Sequence, residues 1–323
     1  MKNTISHILK LGVAAGLIYW LIQQGLLDLS LFWSAPRPQW IPALLVILGA
    51  SLFVANYRWL ILLRSQDFQV KVSETMSLTL VGIFFNFTLP SSVGGDFVKA
   101  YYLAKGANQP KSKVLVSVIM DRIMGLLAML SIAMISILGF MSAILRDPKL
   151  VSIATATTMI FLGLIVFVGI ASSRRFSRWS VLQAFFEKIP LGSKFKEVFE
   201  AVNSYGKEKS VLVKAYFLSL VAQSLSLVFM YVTSYVIDVS VPVEAFLFAV
   251  PLGFIVMSLP VSPGGVGVGQ VAFLGLFGLF LGYEIPAAAF IMTAFQVASL
   301  LYGLVGAAIF VRGHKLNLSE VSG

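Results

Sequence analysis

The chain has no cysteine and only two histidines, His7 and His314, both close to its ends. Without cysteine it can form neither a disulfide framework nor a thiolate metal site, and two distant imidazoles do not make a histidine metal centre. The sequence also lacks a Walker motif, a Ser/His/Asp arrangement and a nucleophile with an evident base. We therefore expect no metal, no cofactor and no catalysis.

Charged residues are scarce as well, at 12% of 323 residues against about a quarter in soluble domains. Hydrophobic residues make up 58% and the mean hydropathy is +0.91. These values predict an all-α integral membrane protein, because a helix satisfies its own backbone hydrogen bonds in lipid. The net charge of +10 does not indicate nucleic-acid binding, since most basic residues lie between apolar runs, where they set topology and contact anionic headgroups.

Six apolar runs are long enough to cross a hydrocarbon core, which takes about 20 residues. They are 11–27, 41–63, 114–141, 151–171, 211–237 and 287–311. Two pairs of shorter runs each surround a polar turn, and we predict that each pair forms a re-entrant helical hairpin. These pairs are 76–87 with 97–104 and 245–259 with 271–281. No linker indicates a second domain, so residues 1–323 are expected to form one transmembrane domain with a basic cytoplasmic segment at 172–210.

The two polar turns share a motif. The first reads Leu-Pro-Ser-Ser-Val-Gly-Gly at 89–95 and the second Leu-Pro-Val-Ser-Pro-Gly-Gly at 259–265. Two helices broken at the same motif and entering from opposite faces are typical of an inverted repeat, in which the breaks meet near the midplane as a substrate site. The alternative is that proline and glycine only kink these helices for packing.

The distribution of basic residues predicts the orientation of the bundle, because positively charged loops stay cytoplasmic. With the N-terminus inside, 18 of the 24 Lys and Arg residues fall on the cytoplasmic side, three fall outside and three lie within spans. This predicts a multi-pass protein of the cell inner membrane with cytoplasmic N- and C-termini. The first hairpin would then enter from the cytoplasm and the second from outside.

Five charged residues lie within or at the edge of the predicted spans, where an unpaired charge costs at least ~3 kcal/mol. They are Arg58, Asp96, Lys99, Asp121 and Arg122. Asp96 and Lys99 are three residues apart and share a helical face, whereas Asp121 and Arg122 diverge by roughly 100° and should find other partners. Three cations against two anions favour an anionic guest such as phosphate. A purely structural cluster of salt bridges is the alternative.

The other candidate substrate-binding residues are polar or lie in the two turns. They are Asn86, Ser92, Gly94, Gly95, Ser262, Gly264, Gly265 and Gln270. The first glycine pair opens a short helix, whose free amides and partial positive charge would attract an anion, and the second pair offers another set of amides. Gln223 and Gln296 are expected to hydrogen-bond neighbouring helices.

Three stretches in this order resemble the transmembrane domain of lysylphosphatidylglycerol synthases, also called the flippase-like domain family. They are NFTLPSSVGGDFVKAYYL at 86–103, the Asp121–Arg122 pair and LPVSPGGVGVGQ at 259–270. The resemblance covers essentially the whole chain and implies a bacterial or archaeal inner-membrane protein that moves a lipid or a lipid-linked glycan between leaflets. The five charged residues and both Gly-Gly turns match the family pattern by position.

The chain departs from that pattern at two positions. Family members usually carry Glu where this chain has Gln270, and Arg is frequent where it has Lys99. If that Glu supports proton coupling or binds a cationic headgroup, this chain lacks the coupling or takes a different lipid. The aminoacyltransferase domain of the full synthases is absent from the sequence, so we do not expect this chain to make lysylphosphatidylglycerol by itself.

The leading hypothesis is a translocase of an anionic phospholipid or lipid-linked glycan, with the phosphate in a cavity between the hairpins and the tails in the bilayer. A second hypothesis is a non-transporting membrane subunit that anchors a glycosyltransferase or lipid-modifying enzyme through residues 172–210. An integral membrane enzyme is the third, and the want of catalytic residues disfavours it.

Overall fold

The structure is a computed structural model that describes residues 34–89, 94–106, 110–171 and 208–312, with a few isolated positions before 34 and between 203 and 206. The regular elements in these ranges are helices. The α-helices are α1 (Ile41–Arg64), α2 (Val72–Thr88), α3 (Gly94–Gly106), α4 (Lys111–Gly139), α5 (Met141–Ile144), α6 (Pro148–Ala171), α7 (Lys209–Val236), α8 (Val243–Met257), α9 (Val268–Leu281) and α10 (Ala287–Val311). Short 3-10 turns lie at Pro38–Trp40, before α1, and at Pro263–Gly265, between α8 and α9.

Six segments of the described chain are long and apolar enough to cross a membrane, so the protein is a multi-pass membrane protein. They are Pro38–Arg64, Lys111–Gly139, Pro148–Ile170, Lys209–Val236, Pro263–Leu281 and Ala287–Val311. Five of them match predicted spans. The predicted span 11–27 falls almost entirely outside the described residues.

The sixth segment joins the second Pro-Gly-Gly turn to the helix that follows it, for which the sequence predicted the run 271–281. The helix α9 begins three residues earlier, at Val268, and it is separated from the 3-10 turn by Val266, which is extended, and by Gly267, with φ 81°. Helices α2, α3, α8 and α9, with 17, 13, 15 and 14 residues, are each shorter than the ~20 residues that a crossing takes.

Local backbone chemistry sets several helix boundaries. Pro242 and Pro286 directly precede α8 and α10, where a missing amide costs no helical hydrogen bond. The carboxylate of Glu74 accepts the backbone N–H of Lys71 at 2.7 Å and caps the start of α2. Gly282, with φ 79°, ends α9 in the left-handed conformation that glycine adopts at little cost.

The helices pack in a pattern that relates the two halves of the chain. Helices α1 and α7 lie against each other, and at their contact Ser51 Oγ lies 2.9 Å from the carbonyl oxygen of Ala222 and 3.0 Å from Ser226 Oγ. Helix α2 packs on α3 and on α10, while α8 packs on α9 and on α4. A short helix from each of the groups α1–α4 and α7–α10 therefore contacts the last helix of the other group. Small residues permit this, since a Cβ at Gly306 of α10 would overlap the Leu80 carbonyl of α2.

The largest apolar core joins helices of both halves of the chain, with Leu48 of α1 and Ile137 of α4 beside the more numerous residues of α7 to α10. Phe246 and Phe277 meet edge to face with ring centroids 5.0 Å apart, and Phe248 stacks on Phe280 at 5.1 Å. Such aromatic pairs stabilise a core beyond their buried area. The polar site lies away from these rings, on α1, α3 and α4, with contributions from α7 and α8.

Candidate functional site

The five charged residues predicted inside the membrane form one chain of ion pairs that joins α1, α3 and α4. Arg58 Nε lies 2.7 Å from Asp121 Oδ1, and Lys99 Nζ lies 3.8 Å from Asp121 Oδ2. The same ammonium lies 3.1 Å from Asp96 Oδ1, and Arg122 Nε binds Asp96 Oδ2. Each carboxylate is therefore shared by two cations. The cluster of three cations and two anions carries a net charge of +1.

Helix geometry explains why the neighbours Asp121 and Arg122 bind different partners. Successive side chains point about 100° apart around a helix, so Asp121 faces α1 while Arg122 faces α3. Gly125, one turn after Asp121, faces the guanidinium of Arg58, and a Cβ at Gly125 would lie 3.4 Å from Nη1, in ordinary van der Waals contact. That same Nη1 donates a hydrogen bond to Ser219 Oγ of α7 at 3.0 Å.

Arg122 is the accessible end of the cluster. Its side chain is 45% exposed, whereas those of the other four charged residues are 9–11% exposed. Arg58 and Lys99 are enclosed by their partners. A ligand that enters the site can therefore reach the guanidinium of Arg122 without first disrupting the buried pairs.

A cavity of about 670 Å³ borders the whole cluster. Its polar lining consists of Arg58, Asp96, Lys99, Asp121, Arg122, Gln223 and Ser258. The remaining lining is apolar and comes from Leu52, Ala55, Phe97, Leu115, Val118, Ile119, Ile123, Gly125, Leu126, Met129 and Ile255. Phe97 and Leu115 are exposed on the surface of the bundle, at 66% and 41%. The cavity thus combines a charged end with apolar walls that continue to the outer surface of the helices.

The first break packs tightly against α2. Asn86 Oδ1 accepts the backbone N–H of Gly95 at 2.8 Å. A Cβ at Gly95 would overlap the carbonyl oxygen of Gly82, and one at Gly94 would lie 2.8 Å from Leu89 Cβ. The sequence predicted free amides for an anion here. In the structure the Gly95 amide instead donates to Asn86. Because Gly94 and Gly95 have no side chains, the start of α3 lies close to α2 and Leu89.

The second break is built from left-handed glycines. Gly264, Gly265 and Gly267 have φ of 58°, 68° and 81°, which L side chains rarely adopt. A Cβ at Gly264 would lie 2.5 Å from Cδ1 of Phe87, the residue after Asn86, so both breaks contact the last turns of α2. Ser262 is fully buried, and its hydroxyl has no hydrogen-bond partner among the described residues.

Gln270 belongs to a buried network that ties the second break to α10. Its Oε1 accepts the N–H of Gly267 at 2.8 Å, and its Nε2 donates to Thr293 Oγ1 at 3.0 Å and to Gln296 Oε1 at 2.6 Å. Gln296 Nε2 in turn donates to the carbonyl of Gly264 at 3.2 Å. The side-chain amides of Gln270 and Gln296 therefore each accept through their oxygen and donate through their nitrogen. Gln270 and the second-break glycines do not border the cavity.

Tyr205, a described residue of the basic segment, connects that segment to α1. Tyr205 is fully buried before α7, and its hydroxyl donates to the carbonyl of Leu62 at 3.2 Å. Burial, and after it the negative charge of Asp121, raise the pKa of the Tyr205 phenol, which therefore stays neutral at physiological pH. Most of residues 172–210 lie outside the described residues.

The sequence pattern of the lysylphosphatidylglycerol synthase TM region matches residues 7–306. The chain belongs to this family. Two relatives from Methanothermobacter thermautotrophicus, both named UPF0104 membrane protein, are similar to it. One is 24% identical over 292 residues, covering 82% of each chain, and the other is 26% identical over 286 residues, covering 83% of each. No solved structure matches the chain.

For this member of the lysylphosphatidylglycerol synthase TM family, the structure divides the predicted site residues into two groups. The five charges meet at the cavity. Asn86, Gly94, Gly95, Gly264, Gly265 and Gln270 instead hold the two breaks in place. Ser92 lies outside the described residues. Gln296 forms helix contacts as predicted, whereas Gln223 borders the cavity, contrary to the prediction that it serves packing.

Three residues of the site were not identified from the sequence. Ser219 binds Arg58, Gly125 faces the guanidinium of Arg58, and Trp59 lies under Lys99 with the ammonium 4.5 Å from the ring centre. Tryptophan is enriched at the membrane interfaces. Trp59 lies inside a span and next to a buried arginine, which is a signal that the sequence did contain.

Proposed function

We propose that this chain is a translocase that moves an anionic phospholipid or a lipid-linked glycan between the leaflets of the cell inner membrane. The observation that carries the proposal is the cavity of about 670 Å³, which places a net positive ion-pair cluster beside apolar walls. A lipid has the same two parts, a charged headgroup and apolar chains.

The charge of the cluster supports an anionic headgroup. The buried pairs leave one positive charge in excess, and the exposed Arg122 is the cation that a ligand meets first. A guanidinium can bind two phosphate oxygens at once, which makes arginine well suited to a phosphodiester. Asp96 keeps Lys99 as a partner when Arg122 turns to a phosphate, so no carboxylate is left without a cation.

The apolar walls support a ligand whose tails stay in the bilayer. Phe97 and Leu115 line the cavity and are also exposed on the outer surface of α3 and α4. In a membrane this surface faces hydrocarbon. A headgroup could therefore enter between these side chains while its acyl chains remain in lipid.

The packing of the two halves supports an inverted repeat with re-entrant hairpins. We assign α1, α2–α3 and α4 to one repeat and α7, α8–α9 and α10 to the other. Under this assignment the contact of α2 with α10 corresponds to that of α8 with α4, and α1 and α7 pair with each other. Such repeats carry a substrate site between them and expose it to each side in turn by rocking.

The proposed orientation places the cavity on the cytoplasmic side. Lys99 lies six residues before Lys105 on α3, about 9 Å along the helix. Arg58 lies the same distance before Arg64 on α1. Because the basic ends of these helices are expected in the cytoplasm, the cavity would lie nearer to that side.

Lipid movement by the purified protein tests the proposal. The protein is reconstituted in liposomes with phosphatidylglycerol labelled on its acyl chain, and an impermeant reductant quenches the outer leaflet with and without a proton gradient. Wild type should make the inner pool accessible. Arg122→Gln should slow this by about tenfold or more, the effect of ~1.4 kcal/mol on a barrier. The matched control is Arg146→Gln, an exposed arginine at the other end of α4.

The same preparation tests the second hypothesis, that the chain is a non-transporting membrane subunit. A folded wild-type protein that moves no lipid under either condition, and that co-purifies with a glycosyltransferase or lipid-modifying enzyme, would replace the translocase with that second hypothesis.

A further inference from the structure

The ammonium group of Lys99 lies between two carboxylates and an indole ring. Nζ is 3.1 Å from Asp96 Oδ1, 3.8 Å from Asp121 Oδ2 and 4.5 Å from the centre of the Trp59 ring. Carboxylate oxygens and an aromatic face are the groups with which proteins bind the ammonium of a ligand. We call Asp96, Asp121 and Trp59 the ammonium box.

Contacts outside the box hold each of its members. The second oxygen of each carboxylate binds an arginine. Trp59 is buried, and its Nε1 donates to Ser117 Oγ at 3.2 Å, while the Ser117 hydroxyl donates to the carbonyl of Val114 at 2.7 Å. Lys99 only fills the box and is not needed to orient its walls.

We infer that Lys99 is a built-in ammonium that occupies the place where a ligand's ammonium would bind. It thereby selects lipids whose anionic headgroups lack an amine, and this inference rests on the proposed function. With Lys99 the cluster has a net charge of +1. Without Lys99, Arg58 and Arg122 balance Asp96 and Asp121, and the neutral site contains an acidic, aromatic slot suited to a primary amine.

The box and the accessible arginine adjoin one another. Asp96 contributes one oxygen to Lys99 and the other to Arg122, and all three residues border the same cavity. A phosphate on Arg122 and an amine in an emptied box would therefore flank a single carboxylate. Phosphoethanolamine, in which two carbons separate the phosphate oxygen from the amine, carries these two charges close together.

Chemical rescue tests the box without any lipid movement. Lys99→Ala should lower the thermal midpoint of the purified protein, and methylammonium chloride should raise it again by filling the box, since a ligand that binds the native state stabilises it. Sodium chloride at equal ionic strength should not. Wild type and Lys105→Ala, which removes an exposed lysine from the end of the same helix, should show no difference between the two salts. Equal responses of Lys99→Ala to both salts would overturn the inference.

Headgroup selectivity tests whether Lys99 disfavours lipids that carry an amine. In the liposome assay, wild type and Lys105→Ala should move phosphatidylglycerol faster than phosphatidylethanolamine, both labelled on the acyl chain. Lys99→Ala should shift this ratio by about tenfold toward phosphatidylethanolamine, the size expected from ~1.4 kcal/mol of differential binding. An unchanged ratio would overturn the assigned selectivity. Rescue by methylammonium in a protein whose wild type moves no lipid would keep the box and reject the translocase.

Discussion

Arg58 and Asp121 join α1 to α4 through an ion pair of 2.7 Å in which both side chains are only 9% exposed. Such a pair is costly to form, because two charges leave water, and it is more costly to break, because removal of one partner leaves a buried charge without compensation. The pair also holds the carboxylate whose second oxygen faces Lys99. Its integrity therefore affects both the stability of the bundle and the charge of the cavity.

Removing Arg58 alone should be worse than removing the pair. Arg58→Met should lower the free energy of unfolding by about 3–5 kcal/mol, whereas Arg58→Met combined with Asp121→Leu should cost clearly less. The double variant has the wild-type net charge of +1 in the cluster, whereas Arg58→Met alone lowers it to zero and leaves Asp121 without its closest cation. Unfolding in mixed detergent micelles measures all of these variants, with Arg146→Met as the exposed control. If the loss in the double variant equals the sum of the losses from the two single substitutions, the two side chains are not coupled.

Gly95→Ala should destabilise the protein, because its methyl group would overlap the backbone oxygen of Gly82, which cannot move as a side chain could. A loss of about 1–3 kcal/mol is typical of such overpacking. The amount of folded protein in the membrane and its thermal midpoint in detergent should both fall. Gly163→Ala is the matched control, since nothing lies within 4 Å of a Cβ at Gly163. If the Gly95→Ala protein stays abundant and stable but moves no lipid, Gly95 contributes to the substrate site and not only to packing.

The pairing of the charges was predictable from sequence, whereas the role of the glutamines was not. Charges inside a membrane must find partners, and the spacing of Asp96 and Lys99 restricts which face they share. Gln223 offers no such constraint. Which face of α7 borders the cavity depends on its contact with α1 at Ser51 and Ser226, residues that lie 175 positions apart in the chain. Long-range packing of this kind leaves no periodic signal in one sequence.

The two Leu-Pro-x-Ser-x-Gly-Gly turns also depend on long-range packing that one sequence does not reveal. Their motif correctly predicted two breaks, and the contact of Gly264 with Phe87 places both beside the end of α2. The motif could not predict that Asn86 takes the amide of Gly95, because this depends on how closely α2 and α3 approach. The start of α9 was missed by three residues for a similar reason, since it depends on the backbone conformation of Val266, which is extended, and of Gly267, with φ 81°.

Gln270→Glu should destabilise the second break. The glutamine amide donates to both Thr293 and Gln296, and an ionised glutamate can donate to neither. Each buried group left without its partner costs about 1–3 kcal/mol, so a total loss of roughly 2 kcal/mol or more is expected in the free energy of unfolding. Gln39→Glu makes the same chemical change at an exposed position before α1 and should be neutral. If both variants are equally stable, the network does not hold the break.

The orientation of the bundle can be tested with single cysteines, because the chain has none of its own. Lys105, at the end of α3, and Glu284, between α9 and α10, are both exposed. The excess of basic residues around α3 and the neighbouring connections predicts that position 105 faces the cytoplasm and position 284 the outside. A membrane-impermeant thiol reagent added to intact cells should therefore label Glu284→Cys, while Lys105→Cys should react only after the membrane is opened.

Lys99 lies about 9 Å from Lys105 along the same helix, so this result would also place the charged cavity nearer the cytoplasm. The reverse labelling pattern would place the cavity on the outer side, and labelling of both positions from outside would contradict the prediction that they lie on opposite sides of the membrane.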